Sequence, residues 1–359
     1  MKAAVTREFG QPLVIEAISM DPPQAGEVLV KLSACAICHS DISYLQGQWG
    51  GTLPAVYGHE AAGVIAETGP QVRLVGPGDH VIVTLLRSCG RCYFCMRGAP
   101  HVCQGGFALD RETRLHTATG EPIVQGLRTG GFAEYVVVDQ SQVVRIPAAV
   151  PLDAACLLAC GVITGVGAVT NTAQVPVGSN VVVIGAGGVG LNSIQGALLS
   201  GAQPIIAIDV LSRKLEAALT FGATHAINSS TENARAAVHD LTEGRGADYV
   251  FVTAGSGPAI DLGLSLMRRA GTLVMVGMPA TGVMTQLEMG NIANDSQRIL
   301  GSKMGSTRLQ VDVPQLVQLY QQGRLKLAEL ITARYPLEAI NQAIAAAVRG
   351  EALRNVIVF

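Results

Sequence analysis

The order of apolar and polar positions divides the chain into two textures. Up to about residue 150, short runs rich in Val and Ile (VLVKL at 28–32, AGVIAETG at 62–69, HVIVTLL at 80–86, AEYVVVD at 133–139) lie between Gly/Pro turns such as PPQAGE and GPGDH. β-Branched runs of this length, closed by turn formers, predict strands, and their dense spacing predicts a small, heavily turned sheet or barrel. From about 178 the pattern changes. VVVIG (181–185), PIIAID (204–209), DYVFVTA (248–254) and TLVMVG (272–277) are continuously apolar, as strands buried on both faces must be. Helical stretches separate them, among them SRKLEAALTFG (212–222) and ENARAAVHDLTE (232–243). This alternation predicts an α/β fold with a doubly wound parallel sheet of Rossmann type. Two more helical stretches, around 312–322 and 336–349, precede the strand-like RNVIVF.

Composition narrows the classes. A chain of 359 residues can bury two domain cores, and with 49% apolar and 14% charged residues it does not have the composition of a disordered protein. A formal net charge of -2 and no run of Lys or Arg argue against nucleic acid or a membrane surface as the main partner. The opening MKAAVTREFGQPLVIEA has no basic segment leading into an apolar core, so it does not read as a signal peptide. The longest apolar stretch, VVVIGAGGVGLNSIQGALL from 181, is crowded with Gly and carries Asn192 and Gln195, an unsuitable composition for a membrane helix. The expectation is a cytoplasmic protein acting on a small molecule.

Gly185, Gly187 and Gly190 stand in G-x-G-x-x-G spacing, with Gly188 and Val189 between them. The triplet follows a predicted strand, opens a predicted helix and leads to Asp209 at the end of the next strand. One glycine permits the tight turn, the second lets backbone approach a pyrophosphate, and the third lets helix and strand pack closely. Asp209 can accept hydrogen bonds from ribose hydroxyls and would repel a 2′-phosphate, which favours NAD over NADP. Arg213 and Lys214 lie close by in sequence and weaken that preference.

Eight cysteines are present, four of them in CGRCYFCMRGAPHVC at 89–103. Without an export signal, clustered thiols are more often metal ligands than disulfides. Cys89, Cys92, Cys95 and Cys103 follow a C-x2-C-x2-C-x7-C pattern that lets one loop wrap a tetrahedral ion, and four thiolates suit zinc. An iron–sulfur cluster is the main rival. Four thiolates leave no open position, so a zinc there is structural. A catalytic zinc wants three protein ligands, for which Cys38, His59 and Cys160 are candidates, although their separations form no local motif. Cys35 and Cys156 read as small packed residues.

The chain resembles the zinc-dependent alcohol dehydrogenases of the medium-chain dehydrogenase/reductase family. The resemblance is carried by CHSD, GHEAAG, the four-cysteine loop, CGVITGVGAV, GAGGVG with Asp209, and the terminal RNVIVF, in that order along nearly the whole chain. It implies a GroES-like catalytic domain from residues 1–161 and 303–359, with a Rossmann NAD-binding domain of 162–302 inserted between. It implies catalytic zinc on Cys38, His59 and Cys160, structural zinc on the thiol loop, Glu60 behind the metal, and Asp41 orienting the imidazole. Ser40 would begin a proton path whose outer end, a histidine in many relatives, is Ser43 here, with His39 able to take part of that role or to face the pyrophosphate. Val189 and Thr164 would line the nicotinamide pocket, Lys214 and Arg354 would approach the ribose and pyrophosphate, and Trp49 and Leu85 would line the substrate cleft. The expected activity is reversible oxidation of a hydrophobic primary alcohol by NAD, in a homodimer or homotetramer with two zinc ions per chain. The rivals are a polyol dehydrogenase, a thiol-adduct formaldehyde-type dehydrogenase using Arg114 and Arg128, and a zinc- or nucleotide-binding protein without catalysis.

Overall fold

The structure, a computed structural model, describes residues 1–359. It has two compact units: Met1–Cys160 with Arg308–Phe359, and Gly161–Thr307.

In the second unit, six parallel strands run in the order His225–Asn228, Ile205–Asp209, Val181–Ile184, Ala247–Val252, Met267–Met275, Arg298–Gly301. The chain enters at the centre, steps outward one way, then returns to build the other half. That reversal opens a crevice at the carboxyl ends of the central strands. The central strands are apolar because helices cover both faces; Val182, Ile184, Ile206, Ile208, Val250 and Val252 fill one core. The two edge strands contain more polar residues, which is why they carry no clear apolar run.

In the first unit, the ten-residue strand Glu27–Ala36 is the spine. It pairs antiparallel with Glu60–Thr68 along one side, and with Tyr135–Asp139 and Arg354–Val358 along the other. Its alternate residues Val28, Val30 and Leu32 enter a core with Ile65, Val81, Phe132 and Val136, the period-two pattern of a sheet with one buried face. A second, six-stranded sheet is built from shorter strands, including Lys2–Thr6 and Pro122–Gln125. Residues beyond the expected boundary at 302 stay with the parallel-sheet unit. The Thr172 hydroxyl reaches Ser302 and Ser306 at 2.9 and 2.8 Å, and Thr307 donates to the Ile163 carbonyl.

Candidate active site

Three distant segments converge on one buried point of the first unit. The spine strand ends at Ala36, and Cys38 follows as the N-cap of the helix His39–Leu45. His59 stands immediately before the strand Glu60–Thr68, and Cys160 follows the short helix Cys156–Ala159. The ligand atoms of Cys38, His59, Glu60 and Cys160 all lie within 4.8 Å of one another, and all four residues are buried.

Asp41 organises this point. Its Oδ2 accepts from the Cys38 amide at 3.0 Å, and its Oδ1 accepts from the Gly58 amide at 3.0 Å and faces His59 Nδ1 at 2.9 Å. One carboxylate therefore fixes the backbone at two ligand-bearing turns and also aims the imidazole. With Nδ1 donating to Asp41, His59 presents the lone pair of Nε2 inward. That Nε2 is buried without a partner, as is Glu60 Oε2. Orphaned buried polar atoms are costly, and two of them converging with two thiols make a donor set that fits zinc. A hydrogen bond from the Cys160 thiol, opposed by burial and aided by His59, holds the Cys38 thiol well below its ordinary pKa.

Glu60 is balanced from behind. Burial lifts its carboxyl to about 7 against the pull of the Arg354 guanidinium, which donates to Glu60 Oε1. Arg354, expected near the cofactor pyrophosphate, makes its hydrogen bonds within the protein to Glu60 and to the Ile37 carbonyl.

Ser40 and His39 occupy the first turn after Cys38, Ser40 half-buried and His39 exposed. Ser43 lies one turn further along the same helix and is half-buried, as are Trp49 and Leu85. Trp49 meets Tyr44 edge-on at 5.2 Å, and Tyr44 stacks on Tyr57 at 5.5 Å. This aromatic chain ends two residues before His59. Tyr44 and Tyr57 escaped sequence reasoning because nothing in their spacing links them to Trp49.

The thiol loop is a separate construction. The four sulfurs of Cys89, Cys92, Cys95 and Cys103 lie within 4.8 Å of one another. Cys92 Sγ and Cys103 Sγ are 3.8 Å apart, which matches the edge of a tetrahedron with zinc–sulfur bonds of about 2.3 Å. Backbone amides of Cys89 and Gly105 donate to Cys103 Sγ, and that of Cys92 donates to Cys89 Sγ, all at 3.2–3.3 Å. Amides of Cys95 and Gln104 bring the Cys92 thiol down to about 6. Only glycine fits at 105, where a Cβ would fall 2.8 Å from Cys89 Sγ. The residues fit a four-thiolate metal site, and no cysteine of the chain forms a disulfide.

In the second unit, Gly185 has φ +95° and Gly187 caps the helix Gly188–Leu199. A Cβ on Gly190 would fall 1.7 Å from the Gly185 carbonyl, whereas one on Gly187 would meet nothing within 4 Å. The third glycine is thus required for packing, and the second leaves open space in front of a helix N-terminus, where an anion is favoured. Asp209 braces the turn from below: Oδ2 accepts from the Ala186 amide at 2.7 Å and Oδ1 from the Leu211 amide at 3.0 Å. Lys214 lies in the first turn of the following helix, Ser212–Thr220. Thr164 lies on the helix Gly161–Gly167, which approaches the Gly188–Leu199 helix so closely that a Cβ on Gly165 would fall 2.4 Å from the Val189 carbonyl.

The two loop arginines differ. Arg114 is 3% exposed and paired with Glu27 at 2.7 Å and Glu112 at 2.9 Å. Arg128 is half-exposed, with Nε 3.6 Å from Asp110.

Known proteins agree with this architecture. Residues 24–148 match the alcohol dehydrogenase GroES-like domain family and residues 188–322 the zinc-binding dehydrogenase family. The NDMA-dependent alcohol dehydrogenase of Amycolatopsis methanolica is 36% identical over 99% of this chain and 98% of its own. The S-(hydroxymethyl)glutathione dehydrogenase of Saccharomyces cerevisiae is 38% identical, covering 99% and 95% respectively. Among solved structures, benzyl alcohol dehydrogenase from Acinetobacter calcoaceticus superposes with a TM-score of 0.94 at 32% identity, over 100% of this chain and 99% of that one. The chain belongs to the zinc-dependent alcohol dehydrogenases of the medium-chain dehydrogenase/reductase family and is an oxidoreductase. That family implies zinc and NAD(H) as cofactors, and alcohols or aldehydes as substrates. No single helix is long and apolar enough to cross a membrane.

Proposed function

We propose that this protein interconverts hydrophobic primary alcohols and their aldehydes with NAD, holding one zinc ion on Cys38, His59 and Cys160 and a second on Cys89, Cys92, Cys95 and Cys103. The observation that carries the reading is the buried convergence of two thiols, an unpartnered imidazole nitrogen and an unpartnered carboxylate oxygen. Zinc at the first site supplies a Lewis acid that favours the deprotonated alcohol and polarises the aldehyde carbonyl; NAD takes the hydride.

The chain's own residues supply the rest. Asp41 keeps the His59 proton on Nδ1 and so keeps Nε2 a donor to metal. Arg354 holds one oxygen of Glu60, leaving the other free to approach the ligand sphere as water and substrate exchange. Ser40 Oγ receives the alcohol proton and passes it outward; Ser43, a turn further along, is no base, and the exposed His39 is the group beside Ser40 in sequence that can take the proton to solvent. The open face at Gly187 and the carboxylate of Asp209 favour a dinucleotide without a 2′-phosphate. Trp49 and Leu85 give the substrate an apolar surface, and the Trp49–Tyr44–Tyr57 chain stiffens it.

A second reading follows the yeast relative: oxidation of a thiol adduct carrying an anionic cosubstrate. It needs free cationic side chains; Arg114 is buried against Glu27 and Glu112, which leaves only the half-exposed Arg128, 3.6 Å from Asp110, so the simple alcohol is the reading we favour. The proposed partner is a second copy of the chain, as homodimer or homotetramer; the strand Arg298–Gly301 is an open sheet edge, and Met278, Met284 and Met289 before it are exposed. Eight cysteines, none of them in a disulfide, favour the reducing cytoplasm.

The test is cofactor reduction on a panel of aliphatic, allylic and benzylic alcohols, with NAD or NADP, and of formaldehyde with and without glutathione. Turnover of apolar alcohols with NAD and no added thiol is expected. Activity confined to formaldehyde plus glutathione would overturn the substrate assignment.

A further inference from the structure

Beside the thiol loop, wholly within the Met1–Cys160 and Arg308–Phe359 unit, lies a cavity of about 630 Å³. That volume is in the range of small-molecule sites. Three arginines, Arg73, Arg91 and Arg308, are among its lining residues, against a single acid, Asp139. Asp139 is already engaged, its Oδ1 accepting from the Ser141 amide at 2.8 Å and the Ser141 hydroxyl at 2.6 Å. Arg308 shares its charge with Asp312 at 3.1 Å, but Arg73 and Arg91 enter no ion pair. The rest of the wall sets the apolar side chains of Leu74, Phe107 and Val311 beside polar Ser88, Gln140, Ser141 and Gln310. Leu74 is 49% and Val311 46% exposed.

Like charges gathered around one space repel, and exposed aliphatic groups beside them gain nothing from water. Both costs vanish if the space receives a group that is anionic at one end and apolar at the other. Guanidinium forks match carboxylate and phosphate oxygens geometrically. We propose that this cavity binds an amphipathic organic anion, whose oxyanion headgroup, a carboxylate or phosphate monoester, sits among Arg73, Arg91 and Arg308 while its hydrocarbon tail covers Leu74, Phe107 and Val311. The site contains none of the residues assigned to the alcohol or the dinucleotide, so it stands or falls apart from the proposed reaction.

The experiment uses the full, zinc-loaded chain and follows arginine modification by phenylglyoxal, residue by residue, with mass spectrometry. Decanoate and decyl phosphate are the probes, decanol and inorganic phosphate the controls. Either decyl anion is expected to slow modification of Arg73 and Arg91 at least tenfold, decanol to leave it unchanged, and inorganic phosphate to protect only at far higher concentration. Whichever of the two anions protects at lower concentration identifies the headgroup. In the double variant Arg73→Gln, Arg91→Gln, binding of the decyl anions measured by calorimetry should weaken tenfold or more, with alcohol turnover unchanged. Equal protection by decanol, or undiminished binding to the double variant, would overturn the proposal. So would arginines that are shielded without any ligand and become reactive on dilution, because a second copy of the chain would then be the occupant.

Discussion

Two sulfur-bearing clusters in one unit are built on opposite plans. The thiol loop draws all four groups from fifteen consecutive residues; its cysteines are half-exposed and its hydrogen bonds come from its own backbone. The second cluster takes Cys38, His59 and Cys160 from segments far apart, is wholly buried, and depends on Asp41 and Arg354. A short loop needs only its own turns to present four sulfurs to an ion. A site meant to keep one position free for substrate needs walls from elsewhere, and its geometry is inherited from the sheet. On the proposed function, the first plan gives a brace and the second a reaction chamber.

The sharpest way to break this contrast is His59→Ala. Losing one of the three proposed zinc ligands should remove about 4 kcal/mol of transition-state stabilisation, roughly a thousandfold in kcat/KM, while NADH binding to the parallel-sheet unit, followed by fluorescence, persists. If turnover survives, the buried cluster is not the chamber. Asp41→Asn keeps the shape but weakens the imidazole's orientation. Zinc affinity at this site, measured by chelator competition, should fall about 10- to 100-fold, with the thiol-loop ion unaffected; equal loss from both would mean Asp41 acts only through global stability. Cys103→Ser should lower the zinc count by one and the melting temperature by about 5 °C, for roughly 2 kcal/mol, yet leave substantial turnover at low temperature. A variant as dead as His59→Ala would erase the distinction between brace and chamber. Gly105→Ala is the mildest probe: the added methyl crowds Cys89 Sγ and should speed chelator removal of the loop zinc only, with a smaller thermal shift than Cys103→Ser.

The same contrast explains what the sequence made legible. The thiol loop and the glycine turn could be read directly because their geometry is local: three residues of spacing is one turn of loop or helix. The parallel strands were equally plain, since burial on both faces leaves an unbroken apolar run. His225–Asn228 and Arg298–Gly301 were not, because edge strands pair on one side only and tolerate polar residues. Cys38, His59 and Cys160 could be proposed together only by resemblance to a family, since no spacing rule joins them. The pairing of Glu60 with Arg354 spans 294 residues and follows from strand register, Ile357 opposite Cys35 and Val356 opposite Ala36. Side-chain partnerships set by register are invisible until the sheet order is known, and so the pairing of Arg354 with Glu60 could not be read from the sequence.

That register also sets a timetable for synthesis. The parallel sheet is complete once residue 301 has left the ribosome, whereas residues 34–36 must wait for 356–358 to fill the neighbouring lane. Until then Glu60 lacks its counter-charge and the buried donor set has an unfinished wall. A nascent chain can therefore complete its parallel sheet early but closes the wall behind the buried donor set only after residues 354–358 emerge, so metal delivered to half-made chains should settle first in the fifteen-residue loop.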